Sequence, residues 1–166
     1  AAPYAGQDNS YTVCSDVGSF NMFQQLAGNP QNGGYWRRLG TPTTPHSSTY
    51  NPAVDSSGVF LYVVLGTAPC ANDSARLTVI EVRAPFAGQP ATIVACPTND
   101  SVNVFTALGP LVDTTGVWTG PDVALLNGNI FNATQVAVGT YAFTYVVTAQ
   151  SPCANDSATI TVNVGA

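Results

Sequence analysis

A chain of 166 residues with 45% apolar and 10% aromatic side chains has material for one medium core or two small ones, and lacks the composition of a disordered segment. Charged residues make up only 8% and the formal net charge is −5. The positive charges are Arg37, Arg38, Arg76 and Arg83, with no lysine. That balance excludes a phosphate-binding surface for nucleic acid, a P-loop and a lysine Schiff base. A single histidine, His46, leaves little for metal or general-base chemistry, and no cofactor is expected. The longest apolar run, 59–65, falls far short of the about 20 residues of a membrane helix, so membrane insertion is not expected. The first residues carry no basic, apolar leader, which reads as a mature protein or an excised piece of one.

Taken in chain order, the sequence starts with Ala2-Pro3-Tyr4-Ala5-Gly6-Gln7 and reaches Cys14. Phe20 and Met22 mark a strand, Asn32-Gly33 a tight turn, and Trp36 a short strand after that Gly-rich turn. The run Phe60-Leu61-Tyr62-Val63-Val64 is a further strand. After Pro69-Cys70-Ala71-Asn72-Asp73-Ser74-Ala75, the alternation of Leu77, Val79 and Val82 closes the first half. The pattern then starts again. Ala84-Pro85-Phe86-Ala87-Gly88-Gln89 repeats the opening, and Cys96, Phe105, Leu108, Gly116 and Trp118 follow Cys14, Phe23, Leu26, Gly34 and Trp36 at a spacing of 82. Val102 and Val104 mark a strand, Asn127-Gly128 a turn, and 141–147 alternates large and small side chains. The segment 152–158 repeats 69–75 residue for residue at a spacing of 83, and Ile160, Val162 and Val164 form the last strand.

Two homologous β modules follow, 1–83 and 84–166. Many short strands punctuated by Gly, Pro and Asn argue for an all-β fold of two tandem immunoglobulin-like sandwiches. The stiff Arg83-Ala84-Pro85 junction favours an end-to-end rod, and the Ala-Pro opening suggests that another module precedes this pair. Two cysteines per module at matching positions predict one disulfide in each, Cys14–Cys70 and Cys96–Cys153. Of the three possible connectivities, this one closes each repeat on itself in the same way. Such a bond contributes about 4 kcal/mol on a chain-entropy model, useful to a small core, and implies an oxidising compartment. A zinc site is the weaker reading, lacking CxxC spacing and histidine partners.

The residues Ala87-Gly88, Cys96, Phe105, Leu108-Gly109, Gly116, Trp118, Gly139-Thr140-Tyr141, Tyr145, Pro152-Cys153, Asp156-Ser157-Ala158 and Thr161-Val162 carry a family pattern. In these the module resembles the Ig-like repeats of very large Bacteroidetes surface adhesins exported by the type 9 secretion system, the SprB-like gliding adhesins among them. Module one departs around Trp36, where Arg37-Arg38-Leu39 replaces small residues. The resemblance implies an extracellular, cell-surface repeat segment. It also implies O-glycans on Ser74, Ser101 and Ser157, each in an Asp-Ser-small apolar sequon, with Asp113-Thr114-Thr115 as a weaker match. Asn72, Asn99, Asn132 and Asn155 fit N-x-[ST]. The same Asn-Asp-Ser residues equally suit a turn closed by side-chain hydrogen bonds.

Other candidate sites are few. Trp36 is expected in the core, as is its partner Trp118, whereas Arg37 and Arg38 lack counterparts and are candidate surface contacts. His46 is expected in an exposed loop. Asp8, Asp16 and Asp55 show no calcium-loop clustering. No nucleophile elbow or carboxylate pair stands out, so an enzyme is not expected. The reading is a non-catalytic structural and adhesive segment with gliding motility and surface attachment as its expected setting, partnered by neighbouring repeats and a polysaccharide or surface ligand. The alternative is a carbohydrate-binding module pair beside a secreted hydrolase, which an aromatic row confined to one module would favour.

Overall fold

A computed structural model describes residues 1–98 and 100–165; the Asn99 sequon lies outside the described residues. The chain divides into two compact units, Ala1–Ala84 with Ser151–Cys153, and Pro85–Gln150 with Ala154–Ala166. Both are all-β, and the helical segments among the described residues are short 3-10 turns.

The first unit contains β1 (Asn9–Cys14), β2 (Phe20–Asn21), β3 (Tyr35–Arg38), β4 (Thr44–His46), β5 (Thr49–Tyr50), β6 (Gly58–Val64) and β7 (Asp73–Val82). Its larger sheet has the order β1-β7-β6-β3-β4, and β2 pairs with β5 in a second, two-stranded sheet. The two-residue period of β7 decides what is inside. Ala75, Leu77 and Val79 are buried, and meet Phe60, Tyr62 and Val64 of β6 together with Met22, Trp36 and Tyr50. Phe20 and Met22 share a strand only in part: β2 stops at Asn21, whose side chain accepts the Phe23 N–H at 2.9 Å and starts a 3-10 turn that buries Met22.

The second unit contains β8 (Ala91–Ala95), β9 (Ser101–Asn103), β10 (Val117–Thr119), β11 (Leu126–Asn127), β12 (Ile130–Asn132), β13 (Gly139–Val147) and β14 (Asp156–Val164). The order β10-β13-β14-β8 matches β3-β6-β7-β1, and β11-β12-β9 forms the facing sheet. Ala158, Ile160, Val162 and Val164 point inward from β14 against Phe143, Tyr145 and Phe131. The hairpin of β11 and β12 turns on Gly128-Asn129, one residue later than the sequence suggested. Asn127 is still paired, with Ile130, and Gly128 takes the positive φ of 62°. Each unit thus has the strand order of an immunoglobulin-like sandwich, with the opening strand running parallel to the closing one.

That parallel pairing corrects the expected disulfides. Cys14 ends β1 opposite Val82, at the far end of β7, whereas Cys70 lies just before β7 begins at Asp73. A ten-residue strand is about 30 Å long, and a disulfide tolerates a Cα separation of only about 4–7 Å. Cys96 and Cys153 are separated in the same way along β14: Ala95 is opposite Val164, and Cys153 precedes Asp156. Neither Cys14–Cys70 nor Cys96–Cys153 can form. Cys14 is instead bonded to Cys153, with Cα atoms 5.0 Å apart, and Cys70 and Cys96 are exposed free thiols. Ser151–Cys153 accordingly group with the first unit.

Candidate functional site

The G-x-W motif builds the same aromatic brace in both units. Tyr62 donates its hydroxyl proton to Gln31 O at 2.8 Å and accepts the Gly34 N–H at 2.9 Å. Tyr145 does the same with Asp113 O at 3.0 Å and the Gly116 N–H at 2.9 Å. Trp36 and Phe23 lie 5.1 and 5.3 Å from the Tyr62 ring, and Trp118 and Phe105 lie 5.1 and 5.4 Å from Tyr145. The glycine is required by space. A Cβ on Gly116 would stand 2.6 Å from the Tyr145 ring, and one on Gly34 would strike Tyr62 and Val63 O. Trp36 is buried, as expected of core, whereas Trp118 is half-buried and donates its indole N–H to Asn129 Oδ1 at 2.8 Å. A cleft beside each brace, about 220 Å³ at Trp36 and about 380 Å³ at Trp118, is lined by equivalent aromatic rings.

Asp73 and Asp156, the acidic residues of the repeated Asp-Ser-Ala, hold the opening segments. Their Oδ2 atoms accept the N–H of Ala5 and Ala87, each at 2.7 Å. Asn72 and Asn155 close the preceding turns by accepting the N–H of Gly66 and Ala149, each at 2.9 Å. The adjoining Ser74 and Ser157 are exposed on β7 and β14, and Ser101 is exposed on β9. The Asp100 beside Ser101 accepts the Cys96 N–H at 2.6 Å. Turn closure and an accessible hydroxyl therefore coexist in one motif.

The candidate contacts Arg37 and Arg38 separate in role. Arg38 shares the face of Trp36: its guanidinium donates to Ser56 Oγ at 2.9 Å and Ser57 O at 3.2 Å and lies 5.6 Å from the Phe60 ring centroid. Arg37 projects from the opposite face of β3, opposite Pro45 and Leu61, and is half-buried.

His46 is not a loop residue in open solvent. It closes β4, sets its ring 4.8 Å from Phe60, and engages Asp55 Oδ1 through Nε2 at 3.0 Å and Ser47 O through Nδ1 at 2.8 Å. Asp55 also accepts the Asn51 N–H at 2.7 Å. Burial pushes the Asp55 carboxyl up, but the Asn51 and His46 hydrogen bonds and the charges of His46 and Arg38 outweigh it, leaving the pKa below the usual carboxylate value. A depressed carboxylate stabilises the fold above its unfolded pKa of about 4 and loses that contribution as pH falls through its folded value. Acid titration of thermal stability is therefore expected to steepen below pH about 4 in the native chain, and Asp55→Asn to flatten that limb. An unchanged limb in the variant would contradict the assignment. Tyr50, fully buried, is pushed above the usual phenol range by burial, by its 2.9 Å bond to Glu81 and by the charges of Glu81 and Asp55.

Asp16 lies within 4.8 Å of the Cys14 and Cys153 sulfurs, but those sulfurs are bonded to each other. Asp8 accepts the Arg76 N–H at 2.7 Å. The features sequence reasoning missed are the Cys14–Cys153 bond, the Asp73 and Asp156 clamps and the His46–Asp55 pair. The first two have a signal in the repeat: Asp73 and Asp156 recur with the cysteines they accompany. The third has none, since His46 occurs in one repeat only.

No protein-family model matches the chain, and no curated protein matches it. Among solved structures it is similar to the N-terminal four Ig domains of Dscam1 isoform 9.44, at 13% identity and a TM-score of 0.48, covering 99% of this chain and 45% of that one. It is also similar to extracellular domains 3–5 of Drosophila OTK, at 14% identity and a TM-score of 0.40, covering 96% and 60%. The chain thus spans about half the length of these neighbours.

Proposed function

We propose that the chain is a non-catalytic structural and adhesive repeat segment of a protein displayed outside the cell. The observation that carries this reading is the duplication of one immunoglobulin-like unit whose repeated aromatic and acidic motif residues serve its own fold: Trp36 and Trp118 brace it, and Asp73 and Asp156 clamp it. A disulfide fits an oxidising compartment outside the cytosol. The one histidine is committed at both ring nitrogens to Asp55 and Ser47, which removes it from general-base work. The aromatic set recurs in both units, as a packing device does; a carbohydrate platform special to one module would not. The exposed Ser74, Ser101 and Ser157 are O-glycosylation sites on this reading, supplying hydration to a surface with few charges. The repeat motifs support the finer assignment to a Bacteroidetes surface adhesin of the type 9 pathway, working in attachment and gliding.

The test uses intact producing cells. Antibody to the chain is expected to label their surface, deletion of the segment to reduce attachment to glass or polysaccharide, and native material to carry glycan masses on Ser74 and Ser157 peptides. Labelling confined to the cell interior, or polysaccharide hydrolysis by the purified chain, would overturn the reading. Retention on polysaccharide with attachment unchanged would favour the carbohydrate-binding alternative.

A further inference from the structure

The cysteine positions of one repeat lie at opposite ends of its closing strand: Cys14 beside the last residue of β7 and Cys70 before its first, Cys96 one step beyond Ala95–Val164 and Cys153 before β14. Neither pair can close on itself, yet the strand-end position of the first repeat, Cys14, is bonded to the turn position of the second, Cys153. The remaining two are the other half of that arrangement. Cys96 is the equivalent of Cys14 and Cys70 the equivalent of Cys153, and both are exposed thiols. The local settings are repeated too. The turn of Cys70 is closed by Gly66 N–H on Asn72 Oδ1 at 2.9 Å, and that of Cys153 by Ala149 N–H on Asn155 Oδ1 at 2.9 Å.

We propose that Cys70 and Cys96 are the two complementary ends of a disulfide chain, each bonding the opposite cysteine of a further copy of this repeat pair. Cys96 takes the turn cysteine of one copy, as Cys14 takes Cys153; Cys70 takes the strand-end cysteine of another. The oxidant is a small-molecule disulfide. The Cys70 thiolate attacks one of its sulfurs and expels a thiolate, and the Cys96 thiolate of the second copy then attacks the Cys70 sulfur and expels the other. Two protein thiols become one disulfide, and the small disulfide is reduced to two thiols. The proposal goes beyond the adhesive reading and does not depend on what the surface binds.

The test incubates the purified chain, its Cys14–Cys153 bond intact, with oxidised glutathione. A ladder of oligomers is expected on non-reducing electrophoresis, joined by Cys70–Cys96 peptides between chains. Cys70→Ser and Cys96→Ser are each expected to abolish the ladder, and an equal mixture of the two variants to give a dimer and nothing larger. Both changes fall on exposed residues and leave the folded units intact, which circular dichroism of the variants checks. Three results would overturn the proposal: a monomer with both thiols capped by glutathione, a Cys70–Cys96 bond inside one chain, or single variants that dimerise through like cysteines as readily as the mixture.

Discussion

Cys14→Ser or Cys153→Ser is expected to lower the free energy of unfolding by about 4–5 kcal/mol, the largest effect of any exchange considered. The Cys14–Cys153 bond closes a loop with a sequence separation of 139, and on the chain-entropy model a loop of that length restricts the unfolded chain by about 5 kcal/mol. Cys14 is also buried, so a serine there leaves a hydroxyl in an apolar setting. Cys70→Ser and Cys96→Ser touch exposed thiols and are expected to change stability by less than about 0.5 kcal/mol. Urea unfolding followed by tryptophan fluorescence, with and without reductant, reads all four variants. Two-and-two behaviour, with the Cys14 and Cys153 variants insensitive to reductant, is the expected pattern. Equal losses at all four positions would mean one bond per repeat.

The second large effect is at the aromatic brace. Tyr62→Ala removes a ring that Trp36 and Phe23 pack against and strips partners from Gly34 N–H and Gln31 O. Large-to-small changes of buried aromatics cost about 3–5 kcal/mol. Tyr62→Phe keeps the ring and loses only the hydroxyl, and leaving those two backbone groups without their partner costs about 2–3 kcal/mol. The same pair of changes at Tyr145 is expected to act on the second unit to a similar extent, through Gly116 N–H and Asp113 O. Urea midpoints of the four variants check the ordering: Ala more damaging than Phe in both units. A Phe variant indistinguishable from the parent would remove the hydroxyl from the account.

Much of the fold is legible in the residues because the burial is periodic. The alternation through Phe143, Tyr145 and Val147, and that of Ile160, Val162 and Val164, gave β13 and β14 directly. The brace residues recur with the repeat, Trp118 standing 82 positions after Trp36 and Tyr145 83 after Tyr62, but the hydroxyl bonds that make them a brace are not written in that spacing. What periodicity does not carry is strand direction. β1 and β8 run parallel to the strands that close their units, and only this puts the two cysteines of a repeat at opposite ends of a strand. Repeat symmetry by itself made self-closure look necessary, although a bond from one copy to the next preserves the same symmetry. The roles of Arg38 and His46 were equally out of reach. Arg38 depends on Phe60 and Ser56, and His46 on Phe60 and Asp55; the pairing of β3 with β4 and β6 sets both beside Phe60, and the residues just before β6 supply the other two partners.

Which sulfurs are joined is measured directly by proteolytic mapping of the purified chain without reductant. With free thiols first blocked by alkylation, the expected result is a single cross-linked pair containing Cys14 and Cys153, with Cys70 and Cys96 recovered in alkylated peptides. Recovery of Cys14 joined to Cys70 together with Cys96 joined to Cys153 would contradict it.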